Sequence, residues 1–310
     1  MNAPVKHPNA GDNIPRAVVL MVISTFMFGF MALTIRYASR QLHPFEIAFF
    51  RNLFGFMFTL PLLVRHGFGI LRTQKISLYF MRCAMGIVAM LAAFWSIVNL
   101  PLAQATSLTY STPLFVTIGA MLFLGEVVRA RRWSAVALGF IGVLLIVRPG
   151  HASFNAGSLI ALLAAAMSGM VAVSIKFLSR TEKPDTIVIY TTMLWVPMSL
   201  VPALFHWQTP IGITWLWIVL AGFFGTGGHM FWTRALKLAD ASLLTPIGFL
   251  QVPLVALFGY FLFGEKLDRW VAAGAAIIFA SNAYIAHRES QLARRTLTDP
   301  EINAETPAPR

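Results

Sequence analysis

The stretch Gly29–Ile47, GFMALTIRYASRQLHPFEI, returns as Gly169–Ile187, GMVAVSIKFLSRTEKPDTI, displaced by 140 positions without a gap. Seven of the nineteen positions are identical: Gly29/Gly169, Ala32/Ala172, Ile35/Ile175, Ser39/Ser179, Arg40/Arg180, Pro44/Pro184 and Ile47/Ile187. Thr34/Ser174, Arg36/Lys176 and Tyr37/Phe177 are chemically close. Each copy closes an apolar run, crosses a short basic turn ending in proline and enters the next apolar run. A repeat at this spacing makes the chain two copies of one unit.

The solvent of that unit follows from composition. Of 310 residues 57% are hydrophobic and only 12% charged, against about a quarter charged in soluble domains. So few charges cannot cover a water-exposed surface, so the bilayer is the solvent. The net charge of +12 sits in short clusters between apolar runs, where it reads as topology rather than nucleic-acid binding. Cys83 is the lone cysteine and lies inside an apolar run, which excludes a disulfide framework or a cysteine metal site.

Residues 1–16 read as a polar cytoplasmic tail. Apolar runs then predict ten spanning helices: 17–38, 45–64, 76–98, 102–123 and 133–148 in a first repeat (17–150), and 157–178, 185–205, 213–236, 242–263 and 268–287 in a second (151–287). Residues 288–310 read as a disordered cytoplasmic tail. With the N-terminus cytoplasmic, inside segments carry seventeen Lys and Arg and outside segments five, while Arg51 and Arg82 lie within spans. The positive-inside rule therefore places both termini in the cytoplasm. Five helices per copy is an odd number, so the second copy enters the membrane from the opposite face. Inverted repeats around a midplane site typify alternating-access transporters. The fold class is thus all-α and polytopic, with ten transmembrane helices in two inverted five-helix repeats.

Later segments repeat as well. Gly86, Leu100, Leu102, Ala103 and Ala105 recur as Gly222, Leu236, Leu238, Ala239 and Ala241 at a shift of 136. Residues 107–126 answer 243–265, each with a mid-helix proline, Pro113 or Pro253, ahead of Gly125–Glu126 or Gly264–Glu265. Such prolines remove a backbone hydrogen bond and kink a helix, either to shape a cavity or as a tolerated bend. The two repeats, the FFR of Phe49–Arg51, these prolines and the two Gly-Glu pairs together resemble the EamA family of the drug/metabolite transporter superfamily over residues 17–287. The phrases LHPFEIAFFRNLF (42–54) and FNAGSLIALLAA (154–165) resemble its branch of riboflavin and S-adenosylmethionine uptake carriers. The resemblance implies a metabolite carrier in which helices one to four of each half surround a central cavity and the fifth and tenth are peripheral.

All twelve acidic residues fall at helix ends, in loops or in tails, with Glu46 the nearest to an exception. A sodium or proton site of buried carboxylates is therefore not expected. Arg51, about two turns into the second helix, contacts substrate or pairs with carbonyls or Glu46. His229, in GTGGHMFW (225–232), is a proton-sensitive group or a neutral, internally satisfied one. Trp95, Trp195 and Trp232 fall in helices that the family places around the cavity, where indoles could stack on a flat substrate. Trp133, Trp207, Trp215, Trp217 and Trp270 suit the membrane interfaces. Asn99, Tyr110, Tyr190 and Gln251 bring polar atoms into apolar helices, where they need a helix partner or an aqueous cavity. Glu126–Arg129 and Glu265–Arg269 read as structural pairs within helical reach.

The candidate substrate-binding residues are therefore Arg51, Trp95, Tyr110, Tyr190, Trp195, His229, Trp232 and Gln251, with Pro113 and Pro253 as kinks. No catalytic residue, metal or cofactor is expected. Partners are a small-molecule substrate and the bilayer, with a homodimer open and no nucleic acid. The expected function is a secondary carrier in an inner membrane, taking up a flat, largely neutral cofactor such as riboflavin. An S-adenosylmethionine carrier or a metabolite or amino-acid exporter of the same fold is the alternative. A membrane-embedded enzyme would need a nucleophile with a base or a metal cluster, and no two histidines stand at i, i+4.

Overall fold

The computed structural model describes residues 14–66, 76–124, 130–149, 155–178, 184–238, 244, 247–266 and 268–298. Every regular element among them is helical: α1 (Ile14–Ala38), α2 (Pro44–His66), α3 (Ile76–Asn99), α4 (Leu102–Thr109), α5 (Thr112–Leu124), α6 (Ala130–Val147), α7 (Gly157–Leu178), α8 (Pro184–Leu204), α9 (Thr214–Leu238), α10 (Gln251–Phe263) and α11 (Arg269–Thr298). These occupy the ten spans, α4 and α5 sharing the fourth and α10 completing the ninth. Among the described residues five runs are long and apolar enough to cross a membrane by length and composition alone: Ile14–Ala38, Ile76–Asn99, Leu102–Phe123, Gly157–Ser174 and Arg269–His287. Large apolar side chains such as Phe123, Leu144 and Phe261 stand exposed, as they must when hydrocarbon is the surrounding medium.

The ends obey local chemistry. Pro15 and Pro44 lie in first turns, where a missing N–H costs nothing. Glu46 is fully buried, and its carboxylate accepts the His43 N–H at 2.9 Å and the Gln208 N–H. It therefore caps α2 and anchors the segment after α8. The tail expected to be disordered from 288 is instead helical to Thr298. Glu289, Gln291, Leu292, Ala293 and Arg294 are strong helix formers that prolong α11 beyond its apolar part. The first helix likewise starts at Ile14, three residues before the expected boundary.

The two prolines interrupt their helices rather than bend them. Pro113 lacks an N–H and its ring opposes the carbonyl of Thr109. The helix stops at Thr109, and that carbonyl accepts the Thr112 hydroxyl at 2.7 Å. In the second repeat a turn at Phe249–Leu250 precedes α10, and the Phe249 carbonyl accepts the Val252 N–H at 3.0 Å. The expectation of one continuous fourth helix over 102–123 is thus corrected to two segments.

Packing displays the relation between the repeats. α1 lies along α9 and α3 along α7, while α2 packs on α8, α4 on α10 and α6 on α11. Exchanging the repeats turns the first pair into the second and returns the α2–α8 and α6–α11 pairs to themselves, as a two-fold rotation requires. Ring pairs agree: Phe50 meets Trp215 at 5.7 Å between centroids. Their counterparts at shifts of 140 and 136, Tyr190 and Tyr79, stack at 4.7 Å. Gly29 and Gly169, which open the repeated stretch, are equivalent as well. A Cβ on Gly29 would lie 2.5 Å from Leu254 Cδ2, and one on Gly169 2.9 Å from Phe115 Cβ. Each glycine lets its helix approach a broken helix just beyond the proline. The helices fill ten spans in two inverted repeats.

Candidate functional site

Where α1, α3 and α8 finish, a cavity of about 750 Å³ opens between the α1–α2 turn, the last turn of α3 and the segment after α8. Its walls include Trp95, Asn99, His43, His206 and Gln208. The His43 and His206 rings are stacked, with centroids 4.0 Å apart and planes inclined by 19°. Burial, and then the neighbouring His206, hold the His43 pKa below its usual value. Gln41 steadies the rim, donating from Nε2 to the Thr209 carbonyl at 3.2 Å and accepting the Ile211 N–H at 3.3 Å.

Of the eight candidate substrate-binding residues, only Trp95 lines this opening, beside Asn99 and Trp207. Its ring rests against Gly157, where a Cβ would stand 2.9 Å from Cζ3, and its carbonyl accepts Asn99 Nδ2 at 2.8 Å. Tyr110 and Gln251 are brought together at the two helix breaks. The Tyr110 hydroxyl donates to the Gly248 carbonyl and lies 3.0 Å from Gln251 Oε1. Asn282 Nδ2 donates to the Tyr110 carbonyl at 2.8 Å, a group the broken helix leaves free.

Arg51 is buried and donates from Nη1 to Asn52 Oδ1 at 2.9 Å rather than to Glu46. Asn52 Nδ2 passes the chain to Ser199 Oγ at 3.1 Å, and Ser199 donates to the Trp195 carbonyl at 2.6 Å. This polar thread joins α2 to α8. Two of its buried donors, Arg51 Nε and Trp195 Nε1, have no hydrogen-bond partner among the described residues. Buried donors left in that state are costly. Gly225 gives the Arg51 guanidinium its space and Gly86 that of the Trp195 indole, since a Cβ at either would fall within 3 Å of those side chains.

His229 is accessible along α9. Phe28 meets its ring edge-on at 5.0 Å, and Arg51 is its charged neighbour. Tyr190 is buried against Tyr79, and Trp232 is 42% exposed on α9. At 1.5 Å of rise per residue, Trp95 and His229 differ by about 15 Å in depth. The eight residues therefore form a mouth, a waist and separate inner positions, not one cluster. Among the described residues no group of three or more His, Cys, Asp and Glu could hold a metal ion.

Three polar features went unread in the sequence. Arg82 donates from α3 to Thr191 on α8. The stacked His43–His206 pair unites residues 163 positions apart. Glu265 pairs with Arg36 at 2.6 Å, which corrects the expected Glu265–Arg269 pair; Arg269 lies over the Trp270 ring. The geometry explains the Gly-Glu motif. Gly264 ends α10 at φ 65°, a conformation glycine adopts without penalty. The chain then folds back, so that the Glu265 N–H meets the Gly259 carbonyl at 2.9 Å. Its carboxylate crosses Gly259 to accept the Leu102 N–H at 2.8 Å and Arg36, which also reaches the Leu100 carbonyl at 3.0 Å. The paired occurrence of Arg36/Lys176 with two Gly-Glu ends was the available signal. Glu126–Arg129 lies outside the described residues.

Two five-helix repeats, broken at matching prolines and packed together through α2, α3, α8 and α9, have the architecture common among membrane transporters. The chain belongs to the EamA-like transporter family, which matches residues 15–148 and 155–286, one match per repeat. A riboflavin transporter of Brucella anthropi is 32% identical over 80% of this chain and 89% of its own length. An S-adenosylmethionine uptake transporter of Rickettsia felis is 29% identical over 84% of this chain and 88% of its own. A solved crystal structure superposes with a TM-score of 0.62 at 20% identity, covering 92% of this chain and 99% of that one.

Proposed function

We propose that this protein imports riboflavin across a bacterial inner membrane, with both termini cytoplasmic and the two repeats rocking about a shared interior. The observation that carries the reading is the likeness to the Brucella anthropi riboflavin transporter over most of both chains. Physical chemistry supports it. A flat, largely neutral ring needs aromatic faces and hydrogen-bond donors rather than a counter-charge. The structure supplies indoles at Trp95 and Trp195 and donors at Arg51 Nε and Trp195 Nε1 that find no partner among the described residues. Arg51, Trp195, Tyr110, Gln251, His229, Tyr190 and Trp232 would meet the substrate in successive stages of transit rather than all at once. The seventeen inside and five outside basic residues support the orientation.

The relative from Rickettsia felis favours S-adenosylmethionine as a second reading, in which the sulfonium would rest on aromatic faces. The test is uptake of labelled riboflavin by cells unable to synthesise it. Saturable uptake that depends on the protein and is displaced by flavin analogues is expected. No uptake, with the protein present in the membrane, refutes the flavin reading and moves the question to S-adenosylmethionine.

A further inference from the structure

Trp95 and the stacked imidazoles sit within a turn of the helix ends, away from the waist where Tyr110 meets Gln251, so the opening is separate from a midplane site. Its volume of about 750 Å³ lies within the about 300–1,000 Å³ of small-molecule sites. Three ring-bearing residues line this space: Trp95, and His43 and His206, whose imidazoles stack on each other. Each is held. Gly157 fixes the indole, a Cβ there standing 2.9 Å from its Cζ3. Nδ1 of His43 accepts the Phe45 N–H at 3.4 Å, and the Glu46 carboxylate ties the His43 and Gln208 backbones into one rim. The His43 pKa is pushed down, so this imidazole is neutral at neutral pH and imposes no charge on a neutral ring. The amides of Asn99 and Gln208 lie in the same wall.

We infer that this opening is a capture subsite for planar heteroaromatic rings, in which Trp95 and the His43–His206 stack grip the ring before it passes to the interior. The inference rests on the flavin reading above and deepens it. The subsite recognises the ring, so it also holds an alloxazine lacking the ribityl chain. Trp95 and His206 thereby set affinity on entry rather than the rate of conformational exchange.

The test compares wild type, Trp95→Leu, Trp95→Phe, His206→Ala and the interfacial control Trp133→Leu, as full chains in proteoliposomes, by initial rates of riboflavin uptake. Trp95→Leu and His206→Ala should each raise KM about 2- to 13-fold, the factor an aromatic contact of about 0.5–1.5 kcal/mol represents. Their maximal rate per folded protein should stay unchanged. Trp95→Phe should recover most of the affinity and Trp133→Leu should behave as wild type. Lumichrome, the ring without its chain, should inhibit wild type competitively and Trp95→Leu more weakly by a similar factor. Wild-type KM in both variants, or equal lumichrome inhibition, overturns the capture subsite while leaving the carrier reading intact. A lower maximal rate at unchanged KM overturns it too. A wild type that moves no riboflavin overturns both. If Trp95→Leu fails to fold, His206→Ala and the Trp95→Phe comparison decide.

Discussion

Gly29 and Gly169 occupy identical positions in the repeat, so sequence alone assigns Gly29→Ala and Gly169→Ala equal effects. The structure makes them unequal. A Cβ on Gly169 would lie 2.9 Å from Phe115 Cβ and 3.1 Å from the Phe115 carbonyl carbon and the Val116 nitrogen, against about 3.5–4.0 Å for a relaxed carbon contact. Two of those atoms are backbone, so α7 and α5 must separate beside the break at Pro113. Overpacking of that kind costs about 1–3 kcal/mol, offset by the about 0.5–1 kcal/mol that alanine gains over glycine in a helix. Gly169→Ala should therefore show a net loss of up to about 2.5 kcal/mol. At Gly29 the nearest atom is Leu254 Cδ2 at 2.5 Å, with Cγ at 3.3 Å, and a leucine terminus can change rotamer. Gly29→Ala should be close to neutral, and adding Leu254→Ala should remove any remaining penalty from the clash. Thermal unfolding of the purified variants, followed by the fraction remaining monodisperse after heating, gives the order. A Gly29→Ala loss equal to or larger than that of Gly169→Ala would refute the packing argument.

Two further predictions concern polar groups at the end where α1 and α3 finish. Arg36→Gln and Glu265→Gln should each destabilise by about 1.5–3 kcal/mol, as charge-assisted bonds to partly buried groups do. The double variant should lose clearly less than their sum; strict additivity in unfolding measurements would show that the two side chains act independently. For His43 the folded-state pKa lies below the unfolded value of about 6.5. Above that value the imidazole is neutral in both states and contributes nothing. As pH falls below it the unfolded chain binds the proton first, so stability declines. The groups facing it are His206 and the Glu46 carboxylate. His43→Gln should flatten the fall in unfolding temperature between about pH 6.5 and 5; an unchanged slope would assign that fall to other groups.

The repeat was legible because nineteen ungapped positions preserve the residues that shape a helix end, a basic turn and a proline start. Span ends followed within a few residues since hydrocarbon thickness sets them. Two things were not legible locally. Pro113 and Pro253 signal a missing hydrogen bond, but whether the helix bends or breaks depends on who receives the freed groups. Here Thr112 and Asn282 receive them, and Asn282 comes from the last helix. Glu265 has Arg269 within helical reach, yet it joins Arg36, 229 positions away, because Gly264 turns the chain out of the helix. The candidate site suffered the same limit. Apolar context flagged Arg51, Trp95, Tyr110 and Gln251 as unusual, but which of them share a depth depends on helix register. His43 and His206 look like ordinary loop residues until α1, α2 and α8 bring them together.

Counterflow by the purified protein in proteoliposomes tests the central claim most directly, since only a carrier alternating around one site couples the two directions of flux. Vesicles preloaded with unlabelled riboflavin should take up external labelled riboflavin transiently above its equilibrium level, and empty vesicles should not. Equal time courses with and without preloading, from protein shown to bind riboflavin, would contradict an alternating-access riboflavin carrier.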